Sequence, residues 1–222
     1  MIPERVPAIA IDGPASSGKS TLAREVARRM GFRFVDTGSL YRAVALALLD
    51  SGVSRADDPA IPALLKERTI ALIPSDNGSR VILDGVDVND RLRSEEVGSL
   101  ASRISALPSV REKLFEIQRR IALAGQIVMD GRDIGTVILP EAKLKIYLLA
   151  DPAVRAERRM KDLLAQGDRR PFELILSDIL ERDRRDRTRE IAPLVQAPDA
   201  LLLDTTHLSI DEAVLWIIDK YL

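Results

Sequence analysis

Cysteine is absent from this sequence, and histidine occurs once, as His207. The first absence excludes structural disulfides and thiolate metal sites; the second removes His-based zinc chemistry and any histidine-dependent catalytic triad. Long apolar runs are missing as well, since nothing approaches the ~18 residues of a membrane span. The opening residues, Met-Ile-Pro-Glu-Arg-Val-Pro, lack the basic end and extended apolar core of a secretory signal, so a cytoplasmic protein with no membrane partner is expected. An excess of charge is also lacking. With 33 Lys+Arg against 34 Asp+Glu the formal net charge is −1, which offers no electrostatic footprint for a nucleic-acid polymer.

What is present suits an ordinary globular protein: 46% hydrophobic residues over 222 positions can build one good-sized core, or one domain carrying an insertion. Among the 33 basic residues only Lys19, Lys66, Lys113, Lys143, Lys145, Lys161 and Lys220 are lysines. Arginine's planar fork suits bidentate phosphate contacts. Genomic codon bias would produce the same excess, so the positions of the arginines must decide.

Strand and helix signals alternate along the chain. Ala8–Asp12 reads as a short apolar strand, and Lys19–Met30 as a helix with Leu22, Val26 and Met30 on one face, stopped by Gly31. Phe32–Asp36 is a second strand, Leu40–Leu49 a second helix, and Ile127–Asp130, Leu144–Ala150 and Ala200–Asp204 are further strands. This βαβα order predicts an α/β fold, a mostly parallel sheet covered on both faces by helices, with ligands bound at the carboxyl ends of the strands. Between Ala60 and Ser105 the pattern changes to Thr69–Ile73, Arg80–Leu83 and Val86–Val88, short strands joined by Pro74–Ser79 and by Asp84-Gly85. They predict a small antiparallel meander inserted into the core. Gln166–Pro171 interrupts two helical stretches and reads as a basic lid. Ser209–Glu212 reads as a capping box opening the last helix.

The segment between the first strand and the first helix carries the chemistry. Gly13-Pro14-Ala15-Ser16-Ser17-Gly18-Lys19-Ser20, followed by Thr21, matches G-x-x-x-x-G-K-[ST] in the strand-to-helix context that pattern requires. In such a loop the glycines let backbone N–H groups close around phosphate oxygens, the helix start adds positive potential, the lysine reaches the terminal phosphates, and the Ser20 hydroxyl faces Mg²⁺. A Gly/Ser-rich turn capping a helix is the plainer alternative, but it leaves Lys19 without a role. No Asn-Lys-x-Asp guanine-reading motif follows, which disfavours a GTPase. Asp130 is either a carboxylate beside the metal or the end of a strand, and the sequence does not choose.

Late in the chain comes Glu-Arg-Asp-Arg-Arg-Asp-Arg-Thr-Arg, residues 181–189. Helical spacing places Arg182, Asp186 and Arg189 on one face with Arg185. Such a stripe is either a salt-bridged surface or a wall for a polyanion and a sugar hydroxyl, as a kinase of phosphorylated acceptors would need.

Together, Gly13–Thr21, Asp36-Thr37-Gly38-Ser39-Leu40-Tyr41-Arg42, Asp130-Gly131-Arg132-Asp133-Ile134-Gly135-Thr136, and Arg182–Arg189 followed by Ala192-Pro193-Leu194 resemble the bacterial cytidylate kinase family. The resemblance runs from about residue 8 to the C-terminus. It implies a P-loop nucleoside monophosphate kinase fold with a five-stranded parallel sheet: a core of residues 1–60 and 106–222 with a lid at about 158–172, and a monophosphate-binding insert at 61–105. It also implies the reaction, ATP plus CMP or dCMP giving ADP plus CDP or dCDP with Mg²⁺ as cofactor, in a monomer.

Carried over by position, the resemblance implies that ATP is held by Gly13 through Thr21 with Arg158, and that Lys19, Arg132, Arg159, Arg182 and Arg189 serve the transfer. The acceptor phosphate falls to Arg42, Arg132 and Arg189 with Tyr41 and Thr37 nearby, cytosine to Ser102, Arg111 and Asp133, and the sugar hydroxyls to Asp186 with Arg182; Asp130 completes this acceptor set. Asp133 can accept from the cytosine amino group, a donor that uracil lacks. Arg158 and Arg159 could equally be surface cations. Thr37 stands where many members have serine, and Ser20 where some have glycine. Two other readings stay open: a P-loop kinase for another acceptor, such as UMP or a small metabolite, and a non-catalytic nucleotide-binding regulator.

Overall fold

The computed structural model describes all residues except 1–4, 76, 77 and 166. Asp76 and Asn77 of the expected turn, Gln166 of the expected lid and the first four residues of the chain therefore lie outside the described residues. Among the described residues eight strands form one sheet. In chain order β1 is Val6–Asp12, β2 Arg33–Asp36, β3 Ile70–Ser75, β4 Gly78–Leu83, β5 Val86–Asp87, β6 Ile127–Gly131, β7 Ala142–Leu149 and β8 Leu201–Asp204. Their spatial order is β5-β4-β3-β2-β6-β1-β7-β8. The five strands from β2 to β8 are parallel, whereas β3, β4 and β5 run antiparallel.

The meander is not a separate layer. β3 pairs with β2 through Phe34 and Ser75, so the antiparallel strands extend the parallel sheet at its edge. The turn at Asp84-Gly85 has positive φ at both residues, the geometry that matches strand twist in a two-residue hairpin.

Among the described residues eight α-helices accompany the strands: α1 Lys19–Met30, α2 Thr37–Asp50, α3 Ile61–Glu67, α4 Glu95–Ile104, α5 Pro108–Leu123, α6 Pro152–Ala165, α7 Phe172–Thr188 and α8 Ile210–Tyr221. The central strands are buried on both faces, and their side chains alternate between two apolar clusters. Ala8 and Ala10 of β1 face the cluster shared with α2, α4 and α5, whereas Ile9 and Ile11 face α1 and α8. The first cluster also takes Leu72 and Val81 of the meander. A third, small cluster joins α6 to α7 through Ala156, Leu163, Ile175 and Ile179.

Helix α2 starts at Thr37, three residues ahead of the expected Leu40, directly from the end of β2. Thr-Gly-Ser reads as a turn, but the first turn of a helix tolerates these residues because its N–H groups have no intrahelical partners. Ser39 Oγ donates to the Asp36 carbonyl at 2.5 Å and ties the turn down. Ser209 and Glu212 exchange the two hydrogen bonds of a capping box at the start of α8. Among the described residues no helix is long and apolar enough to cross a membrane.

The registers bring the site together. Asp12 stands beside Gly131 and Asp36 beside Asp130, so three neighbouring strands end side by side, at the same level. Gly13 leaves β1 with φ 155°, and a Cβ there would lie 2.3 Å from the Leu148 carbonyl oxygen of β7. Replacing Gly13 by alanine is therefore expected to lower unfolding free energy by about 2–4 kcal/mol through steric overlap and backbone strain, measured by urea denaturation.

Candidate active site

One cavity of about 1420 Å³ lies over the carboxyl ends of the strands. It exceeds the ~300–1,000 Å³ of a site for one small ligand. Its wall includes Ala15–Leu22 of the glycine loop and α1, Thr37, Gly38, Tyr41 and Arg42 of α2, and Ser102 of α4. It continues through Asp130–Asp133 and Arg158 and Arg159 of α6 to Arg182, Arg185, Asp186 and Arg189 at the far side.

The glycine loop turns through Ser16 and Gly18, both with positive φ, and Gly18 precedes the first residue of α1. Lys19 is folded back on this loop. Its ammonium donates to the Pro14 carbonyl at 2.5 Å and to Ser17 Oγ at 3.1 Å. Burial, with Arg132 and Arg182 close by, holds the Lys19 pKa well below the ordinary lysine range.

Asp130 is not the last residue of its strand, because β6 continues to Gly131. Its carboxylate faces the loop: Ser20 Oγ donates to Oδ2 at 2.6 Å, and the buried Oδ1 has no partner among the described residues. Burial, then the neighbouring Asp36 carboxylate, push its pKa up to about 7. A hydroxyl and a carboxylate with one free oxygen, side by side, fit a hard cation that takes its remaining ligands from phosphate and water. Thr37 sits at the same place, but its hydroxyl is engaged, donating to the Asp130 carbonyl at 2.7 Å.

Asp133 lies where the chain leaves β6 for a π turn at Ile134–Ile138, and Asp12 holds that turn in place. Its carboxylate accepts from Ile134 N at 2.8 Å and Gly135 N at 2.7 Å. Burial pushes Asp12 up to about 6 despite these two bonds. Asp133 itself is gripped by two arginines, Arg111 through Oδ2 and Arg189 through Oδ1 at 3.4 Å. Arg111 is buried behind Asp133 and does not line the cavity. Ser102 does, and its buried Oγ has no partner among the described residues. Tyr41 is part of the same wall, and burial raises its phenol pKa. Arg42 lies 3.5 Å from Asp36.

Helix α7 divides its charged run between three environments. Arg184 pairs with Glu181 at the surface. Arg182, Arg185 and Asp186 line the cavity, whereas Asp183 turns under the glycine loop. Arg132 Nε donates to Asp186 Oδ2 at 2.8 Å. Burial would raise the Asp186 pKa, but Arg132 and Arg182 outweigh it and hold the carboxylate below its usual range. Arg182 is lowered to about 10, by burial first and by Arg132 next, and its Nε has no partner among the described residues. Arg189 follows the helix in extended conformation, its Nε donating to Ala192 O at 2.7 Å. The left-handed backbone at Ala192 aims that carbonyl.

On the lid side, Arg158 donates to the carbonyls of Thr205 at 2.8 Å and Ser17 at 3.4 Å, so it bridges the loop after β8 and the glycine loop. Arg159 pairs with Glu95 in the first turn of α4, and Arg170 reaches the same carboxylate at 3.2 Å. His207 is exposed and outside the cavity wall, and Trp216 packs against the core.

Five positions escaped the sequence reading. Asp12 carried a signal, an acid ending an apolar strand just before the loop, and Asp36 stood inside a quoted motif without a role. Glu95 follows the N-cap Ser94 and carried only the signal of a first-turn acid. Arg155 and Asp183 carried none, because nothing in the spacing of two charges 28 positions apart says that they meet.

The family model described as Cytidylate kinase matches residues 9–221. A cytidylate kinase of Carboxydothermus hydrogenoformans is 47% identical over 206 residues, covering 93% of this chain and 93% of that protein. One of Streptococcus pneumoniae is 48% identical over 207 residues, again 93% of each. Among solved structures, an uncharacterized protein from Eubacterium ventriosum has a TM-score of 0.51 at 15% identity, over 96% of this chain and 97% of that one, which is a likeness of fold alone. A match at nearly half identity over almost the whole chain leaves one relationship: the chain belongs to the cytidylate kinase family.

Proposed function

We propose that this protein transfers the γ-phosphoryl group of ATP to CMP or dCMP, giving ADP and CDP or dCDP. The observation that carries this reading is the continuity of one large cavity from the glycine loop to the arginine face of α7. A nucleotide-binding regulator needs only the first end. ATP phosphates lie in the loop, where Lys19 leaves the Pro14 carbonyl for a phosphate oxygen. Arg158 flanks the adenine side, and Arg159 exchanges Glu95 for phosphate. Ser20 and Asp130 would hold Mg²⁺, which supplies charge neutralisation between the phosphates when bound.

The acceptor lies opposite. Its phosphate meets Arg42, Arg132 and Arg189, its ribose meets Asp186 and Arg182, and its base is read by Asp133 and Ser102, with Arg111 fixing the Asp133 carboxylate. An ionised oxygen of the acceptor phosphate attacks the γ-phosphorus in line, and the bond to the ADP oxygen breaks. No general base is needed, because the attacking oxygen carries no proton to remove. Arginines supply the neutralisation that phosphoryl transfer requires, and the lid and insert exclude water. The reading takes the working unit to be a monomer in the cytoplasm.

A coupled assay over a panel of nucleoside monophosphates tests the reading: CMP and dCMP should outrun UMP, and CMP should raise Tm with no ATP present. Equal rates for UMP would overturn the base assignment. Asp133→Asn should lower kcat/KM for CMP by about 100-fold and shrink the CMP preference over UMP by about tenfold, because the amide no longer offers a carboxylate to the amino group.

Lys19→Met should cut kcat on the order of 10³-fold. The Tm of the empty protein should not fall, since burial and Arg132 and Arg182 already disfavour the ammonium. A folded variant with most of its activity would sink the mechanism.

Asp130 sets the sign of a pH effect. Its folded pKa of about 7 leaves it neutral below that pH and anionic above it. Binding of Mg²⁺-ATP should tighten as pH rises through about 6–8, whereas metal-free ATP should bind more weakly over the same window because the new charge repels its phosphates. Titration calorimetry on the wild type and on Asp130→Asn checks both signs, and the variant should show neither.

A further inference from the structure

Beneath the glycine loop lies an ion pair that the transfer chemistry does not use. Arg155 of α6 and Asp183 of α7 are 2% and 6% exposed, and Arg155 Nη1 lies 2.7 Å from Asp183 Oδ2. The pair also grips both polar groups of a single loop residue. Ala15 N donates to Asp183 Oδ1 at 3.3 Å, and Arg155 Nη1 donates to Ala15 O at 3.0 Å. The other edge of the guanidinium, Nε, donates to Ala150 O at the end of β7, at 3.0 Å. One fork thus joins the sheet, the loop and α7.

We infer that Arg155 and Asp183 are a positioning pair, which holds the donor phosphate loop in register with the helices that carry the cavity arginines. Arg158 and Arg159 follow Arg155 by one helical turn, and Arg182 and Asp186 flank Asp183. A shift of the loop is therefore passed to both arginine sets through one rigid contact. Stability alone does not account for the pair, because a buried ion pair is commonly no better than well-packed apolar residues of the same volume. Geometry does. A planar fork meets two carbonyls and a carboxylate at once with its donors fixed in one plane, which the freely rotating donors of a lysine ammonium do not provide. The inference rests on the proposed binding of ATP to the loop.

The test is the double variant Arg155→Met/Asp183→Leu, which removes both charges together, measured by Tm, by calorimetric CMP affinity without ATP, and by KM for ATP and kcat. The expected result is a Tm lower by a few degrees, because the buried Ala15 N, Ala15 O and Ala150 O lose their partners, and CMP affinity within about twofold, with KM for ATP raised and kcat lowered by about tenfold each, the cost of a misplaced loop. Arg155→Lys, which keeps the ion pair but not the fork, is the second variant; it should show the same split at about threefold. Wild-type KM for ATP and kcat in a folded variant would overturn the inference. So would an equal loss of ATP and CMP affinity, the mark of a structural role only. Should Lys19→Met leave ATP affinity and turnover intact, the donor-loop reading itself fails and the inference falls with it.

Discussion

Buried positive charge without enough buried negative charge to match is the constraint on which this structure turns. Lys19, Arg132 and Arg182 converge where the strands end, beside the carboxylates of Asp130 and Asp186. Asp130 is itself half neutralised near pH 7. The result is a depressed lysine, a depressed arginine and buried Nε atoms at Arg182 and Arg185 that have no hydrogen-bond partner among the described residues, Arg185 Nε lying 3.7 Å from Glu181. In the proposed reaction two polyanions would supply what is missing. Repulsion that would keep two phosphates apart in water would be offset by repulsion already present among the cations.

The fold sustains that arrangement by fixing each charge from behind. Asp12 ties the π turn to the end of β1, and that turn carries Asp133. Asp186 orients Arg132, and the carbonyl of Ala192 orients Arg189. Internal carboxylates occupy several arginines meanwhile: Arg189 leans on Asp133, Arg42 on Asp36, and Arg159 on Glu95. The Glu95 contacts join α4 to α6 and to the segment that leads into α7, and charge-assisted bonds of this kind can be exchanged for bonds to phosphate.

The large features were legible because they rest on local rules. An apolar run ended by Asp12-Gly13 announces a strand and a turn, and helix α1 runs from Lys19 to Met30 as its periodicity predicts. The order of strands and helices implied a parallel sheet. The start of α2 was misplaced because turn-forming residues and first-turn residues are chemically alike. The meander read as an insertion, and only the Phe34–Ser75 pairing shows that it prolongs the same sheet.

Sequence alone determined the phosphate loop, the fold class and the arginine stripe of α7, since each is written in neighbouring residues whose spacing has a direct geometric meaning. Tertiary structure alone decided which face of that stripe meets the cavity, that Arg111 stands behind Asp133, and that Arg155 and Asp183 close on Ala15. The reason is that a buried charge selects its partner by distance and desolvation in three dimensions, and neither quantity is encoded by position along a chain.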